Sequence, residues 1–149
     1  MDQKTVMRYL DLLEKTFVIY NLRGFSSNLR KEITKKSKYY FYDNGIRNAI
    51  IANFNELNLR SDIGALWENF LVMERLKKRN YRNLFANDFF WRTWDQQELD
   101  LVEEGGGKLS GYEFKWKQQK VTVPKDWKNS YPEAEFSVIN PNNYLEFIC

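Results

Sequence analysis

Histidine is absent from the 149 residues, and cysteine occurs once, as the final residue, Cys149. The missing histidine removes Ser-His-Asp and Cys-His hydrolases, histidine-ligated zinc and histidine general bases together. A lone cysteine forbids an intrachain disulfide and points to a reducing compartment, so a cytoplasmic location is expected. No GxxxxGK[ST] loop is present, so the chain by itself is not a P-loop nucleotide hydrolase. No apolar run approaches the roughly 20 residues that span a bilayer. Residues 1–8 also lack the apolar stretch of a signal peptide. Catalysis, if there is any, is left to carboxylates, lysines, tyrosines or a hard metal held by oxygen ligands.

What the chain does hold is aromatic and charged. Aromatic residues make up 17% of it and charged residues 29%, a composition that builds a packed core inside a solvated surface. The net charge of +3 is unevenly spread. Residues 1–60 carry eleven Lys and Arg against six Asp and Glu, and residues 61–149 carry twelve against fourteen. Within the basic part, RKEITKKSK (residues 30–38) holds five positive charges and one negative. Such a run reads as a solvated loop or as a phosphate-binding one.

The first part opens on a helix pattern, with Val6, Leu10, Leu13 and Phe17 at three- and four-residue steps and Asp2 as its cap. Two extended segments follow, residues 17–25 and 38–43, separated by the basic run. Helix, strand, basic loop, strand is the order of a recognition helix and wing, here without its preceding helices. Its exposed face would present Lys4 and Arg8, and the loop would add Lys35, Lys36 and Lys38. These five residues are the expected nucleic-acid contacts. Residues 1–45 are therefore read as a partial winged-helix segment and residues 46–149 as a second domain.

A short helix is expected after the Asp43-Asn44-Gly45 turn, and a long one from about Ser61 to Arg79. In the long helix, Glu68 stands among Leu66, Trp67, Phe70, Leu71 and Val72. It belongs either to a narrow polar stripe with Asn69 and Arg75, exposed or ion-paired, or to a polar cavity. Then come strands: residues 83–94, QELDLVEE (97–104) and, across three glycines, KLSGYEFKWK (108–117). By strand alternation Glu98 and Asp100 share one face, and Glu113 and Lys115 share a face of the next strand. A helix near Pro124, a strand at residues 134–140 and a short terminal strand over NYLEFIC complete the chain. The hairpin alone reads as readily as a half-buried antiparallel pair stabilised by cross-strand charges.

Taken together, Glu68 on the helix, D-x(12)-E-x-K across adjacent strands and the order αβββαβ resemble the PD-(D/E)xK nuclease superfamily and its restriction-endonuclease-like α/β fold. More closely, TVMRYLDLLEKTFVIYNL, KYYFYDNGIRNAI, GALWENFLVMERLKKR, FFWRTWDQQELDLVEE and GYEFKWK resemble the C-terminal region of bacterial and archaeal AAA-type ATPases. That region is the domain of unknown function numbered 4143. The resemblance implies an N-terminal P-loop ATPase domain as covalent partner, with ATP bound only there. It implies Glu68 and Lys115 as catalytic residues and Asp100 and Glu113 as ligands of Mg²⁺ or Mn²⁺. It further implies weak nucleic-acid binding, metal-dependent phosphodiester cleavage and no membrane partner. Members commonly carry valine where Phe114 stands, a substitution within the core. The alternative expectation is a catalytically silent module that docks a protein partner or the ATPase domain.

Overall fold

The computed structural model describes residues 2–26 and 36–149. Helix α1 (Gln3–Lys15) starts at Asp2, whose carboxylate accepts from the Thr5 backbone N–H at 2.7 Å. None of its residues is buried. Strands β1 (Ile19–Gly24) and β2 (Ser37–Phe41) pair antiparallel. Helix α2 (Asn44–Ile50) is capped by Asp43, and a short 3₁₀ turn at Leu57–Leu59 leads to helix α3 (Ile63–Arg82). Strands β3 (Asn87–Arg92), β4 (Glu98–Gly105) and β5 (Lys108–Phe114) follow, then helix α4 (Lys125–Ser130), strand β6 (Glu135–Ile139) and helix α5 (Tyr144–Ile148). The expected helix, three strands, helix and strand are all there in order. The C-terminal segment is not a strand. Residues Tyr144–Ile148 form a helix that buries Phe147.

All six strands belong to one mixed sheet, ordered β2-β1-β3-β4-β5-β6. β1 runs parallel to β3, with Arg23 opposite Phe89 and Gly24 opposite Phe90. The sheet therefore passes across the boundary expected at residue 45. Helices α3 and α5 cover one face, where Leu71, Met73, Phe90, Leu101, Phe114 and Phe147 are buried together. Trp127 of α4 covers the other face, over Trp91, Leu99 and Val102. Gly111 makes this second packing possible, since a Cβ there would lie 2.7 Å from Leu99 Cδ1 and 3.1 Å from Trp127 Cζ2. Among the described residues, no helix is long and apolar enough to cross a membrane.

One irregularity bears directly on the site. Phe89 pairs with Val102 and Trp91 with Leu99, so β4 takes three steps where β3 takes two. That is a β-bulge, and it breaks the alternation on which a sequence reading depends. Leu99 and Val102 lie in the α4-side cluster, while Leu101 lies in the α3-side cluster. Asp100 and Leu101 both turn toward α3.

Candidate functional site

Glu68 lies on the sheet-facing side of α3, half-buried and ion-paired to Lys38. Its Oε1 accepts from the Tyr40 hydroxyl at 2.6 Å and from Lys38 Nζ at 3.2 Å. Lys38 and Tyr40 stand two positions apart on β2 and therefore point to the same side. The register of β2 is held by Asn69, the residue after Glu68. The Asn69 side-chain oxygen accepts from Phe41 N at 2.8 Å, and its amide nitrogen donates to Phe41 O and to Asn44 Oδ1, each at 2.8 Å.

The bulge delivers Asp100 to this place. Asp100 is only 7% exposed, and its Oδ2 accepts from the Phe114 backbone N–H at 2.7 Å. Lys38 Nζ lies 2.9 Å from Glu98 Oε1, 3.2 Å from Glu68 Oε1 and 3.6 Å from Asp100 Oδ1. Its ammonium also sits 5.6 Å from the centre of the Phe90 ring. Glu113 and Lys115 form a separate pair at 2.6 Å. The fields of the two groups overlap. Burial first, and then the carboxylates of Glu68 and Glu113, push the Asp100 carboxyl up to about 7, against the opposing pull of Lys38 and the Phe114 N–H. Burial disfavours charge on Lys115, but Glu113, Asp100 and Glu68 outweigh it and hold the ammonium above its ordinary range. The same balance holds Lys38 high, with burial opposed by Glu68, Asp100 and Glu98. Tyr40 is held strongly protonated by burial and by Glu68.

The four residues implied for the centre thus come from α3, β4, and β5 with its C-terminal edge, and they act on one another electrostatically. They do not form a ready ion cage. In kind, three carboxylates are what a hard divalent cation takes. In arrangement they do not fit it: among the described residues, no three acidic side chains are placed to hold a metal ion. The space between Glu68, Glu98 and Asp100 holds the Lys38 ammonium.

Of the expected nucleic-acid contacts, Lys4, Arg8 and Lys36 are exposed. Lys35 lies outside the described residues, as does most of the basic run. Lys38 needs correcting. An ammonium turned onto three carboxylates is not a free phosphate ligand, because its charge is already taken up by opposite charge. Tyr40 is the site residue that sequence reasoning missed, and Lys38 was expected there as a nucleic-acid contact rather than as a partner of Glu68. Their two-residue spacing on a strand was a legible signal, but nothing in the sequence named Glu68 as their partner.

Two recesses flank α3 here. One, of about 270 Å³, is lined by Lys38, Tyr40, Arg47, Glu68 and Asn69 among others. The second, about 290 Å³ and mostly apolar, is lined by Trp67, Phe70, Trp116 and Tyr144 with Asn44 and Leu66. Within it Trp67 stacks on Phe70 at 5.7 Å and meets Trp116 edge-on at 5.3 Å. At the far end of α3 the charges are evenly matched instead. Arg75 grips Glu103 through two bonds of 2.8 and 2.7 Å, and Arg79 grips Asp88.

Two family models match the chain. Residues 1–58 match a Domain of unknown function (DUF8612), and residues 63–143 match a Domain of unknown function (DUF4143). An uncharacterized protein of Mycobacterium tuberculosis and one of Mycobacterium bovis are each 33% identical over 115 residues, which is 76% of this chain and 25% of each relative. The chain thus spans about a quarter of the length of the curated relatives it matches. No solved structure matches it. The longer of the two family matches takes in all of α3, the whole β3–β4–β5 unit and both Asp100 and Glu113, and by it the chain belongs to the DUF4143 family.

Proposed function

We propose that this chain is the nucleic-acid-processing module of a longer, ATPase-linked protein, with a centre of the PD-(D/E)xK type built from Glu68, Asp100, Glu113 and Lys115. The observation that carries this reading is the convergence of those residues. A helix, a bulged strand and a strand edge carry acids and a lysine near enough to act on one another's charge, whereas the ion pairs of Arg75 and Arg79 are matched charge for charge. In this reading Lys115, held charged by Glu113, faces the phosphodiester and offsets charge that develops on its oxygens. Asp100, poised near neutrality, holds or releases a proton at the strand bulge. A divalent metal, were it bound, would polarise the phosphate and a water. The aromatic recess beside Glu68 suits an unpaired base, because stacking on Trp and Tyr faces is tolerant of sequence. That the matched relatives are about four times the length of the matched segment accords with a module in a larger protein.

The test is cleavage of end-labelled single-stranded DNA, duplex DNA and RNA with Mn²⁺, comparing the parent protein with Asp100→Asn and Lys115→Met. Cleavage of at least one substrate that falls by two orders of magnitude or more in both variants is expected. Equal activity in all three proteins would overturn the assignment.

The docking reading keeps one specific observation on its side: the Lys38 ammonium already pairs with Glu68 and Glu98. A silent module would show no cleavage, and its Asp100→Asn variant would still capture the same protein partner.

A further inference from the structure

The mismatch between the acids and a divalent cation has a structural source. We infer that Lys38 is a tethered cation that fills the position between Glu68, Glu98 and Asp100, so that a divalent metal enters only when Lys38 leaves. This rests on the reading of the acids as a phosphodiester-directed centre.

The spacing fits an ammonium. Nζ donates to Glu98 Oε1 at 2.9 Å and Glu68 Oε1 at 3.2 Å and lies 3.6 Å from Asp100 Oδ1 as an ion pair, whereas Mg²⁺ draws its oxygens to about 2.1 Å. An ion in the same place would require the acids to close by roughly one ångström. The lysine is also held from behind, because the backbone of β2 is pinned by Asn69 at Phe41 and Tyr40 is bonded to Glu68. The charge count leaves room for a stronger cation. Among the described residues, three acids meet one lysine, and Arg92 touches Glu98 at 3.4 Å. At the other end of α3, by contrast, two arginines meet two acids. The recess of about 270 Å³ that Lys38, Arg47 and Glu68 line gives the side chain somewhere to swing. Lys38 is therefore a gate on the acidic centre, set on the strand that follows the basic run.

The experiment is Mn²⁺ binding, read by electron paramagnetic resonance of the free ion and by the metal-induced shift in melting temperature. The proteins are the parent, Lys38→Met and Lys38→Arg. Methionine keeps the stem over Phe90 without the charge, and arginine keeps the charge. Binding at least tenfold tighter in Lys38→Met than in the parent, with Lys38→Arg no tighter than the parent, is the expected result. Should Lys38→Met fold poorly without metal, the pair Lys38→Met/Glu98→Gln removes one charge of each sign and leaves Glu68 and Asp100 in place. It should show the same tenfold gain. Equal Mn²⁺ affinity in the parent and Lys38→Met overturns the gate and leaves the acidic centre standing. No binding in any of the proteins overturns both.

Discussion

Asn69→Ala should be among the most costly polar substitutions in the chain, and the reason lies in one strand residue. The Asn69 side chain bonds both Phe41 N and Phe41 O at 2.8 Å, doing for the end of β2 what another strand would do, and it is itself 4% exposed. Alanine removes both partners at once and also frees Asn44 Oδ1. Each buried backbone group left unpaired costs about 1–3 kcal/mol, less whatever water can recover, so the loss should be about 2–4 kcal/mol. At this chain length that is roughly 5–15 °C in melting temperature. Asn69→Asp should not rescue it, because a carboxylate still accepts from Phe41 N but sets an oxygen against Phe41 O and Asn44 Oδ1. Urea unfolding followed by tryptophan fluorescence gives the free energy. The spread of ¹⁵N amide shifts over β2 then reports whether Lys38 and Tyr40 lose their place. A loss under about 1 kcal/mol with unchanged β2 shifts would refute the claim that Asn69 sets the register of the site.

Four further outcomes are expected. Since the Asp100 carboxyl sits near 7 in the folded chain against about 3.9 unfolded, the folded state binds the extra proton between those values. Stability from this group is therefore present at low pH and is lost as pH rises through about 7. Asp100→Asn should accordingly gain melting temperature over the parent by more at pH 8 than at pH 5, and an equal difference at both would count against the shift. Gly111→Ala should cost about 1–3 kcal/mol through its clash with Leu99 and Trp127, measured by urea unfolding, without altering Mn²⁺ binding by the Lys38→Met background. Trp116→Ala should weaken binding of a single-stranded oligonucleotide by about 1–3 kcal/mol in a fluorescence anisotropy titration at low salt, and Lys4→Glu with Arg8→Glu should lower the salt slope by about two.

Most of the order of elements was legible, because α3 and the hairpin of β4 and β5 carry strong periodicity and glycine punctuation. The terminal helix was not. NYLEFIC has apolar residues at both strand and helix spacing, and packing of Phe147 against Tyr112 and Phe114 decides for the helix. The partnership of β1 with β3 was equally hidden, since a parallel pairing between residues more than sixty apart leaves no local trace. Glu68, Asp100, Glu113 and Lys115 were singled out by residue type and spacing, and the family resemblance supplied their expected roles. The bulge that aims Asp100 was not legible, because Glu98 to Leu101 alternate and only the register against β3 shows the extra residue. Lys38 was misjudged for a related reason. In sequence it closes a basic run, while in space β2 folds it onto the acids.

The account stands on Asp100 sensing both Glu68 and Glu113 as members of one centre. The most direct measurement is a ¹³C carboxyl titration by NMR on the parent, Glu68→Gln and Glu113→Gln, with Asp100→Asn to assign the signal. One aspartate carboxyl should titrate near 7 in the parent and move downward in each glutamine variant, since each removes a neighbouring negative charge. An Asp100 signal that titrates in the ordinary carboxylate range, or that ignores the loss of Glu113, would contradict the single centre.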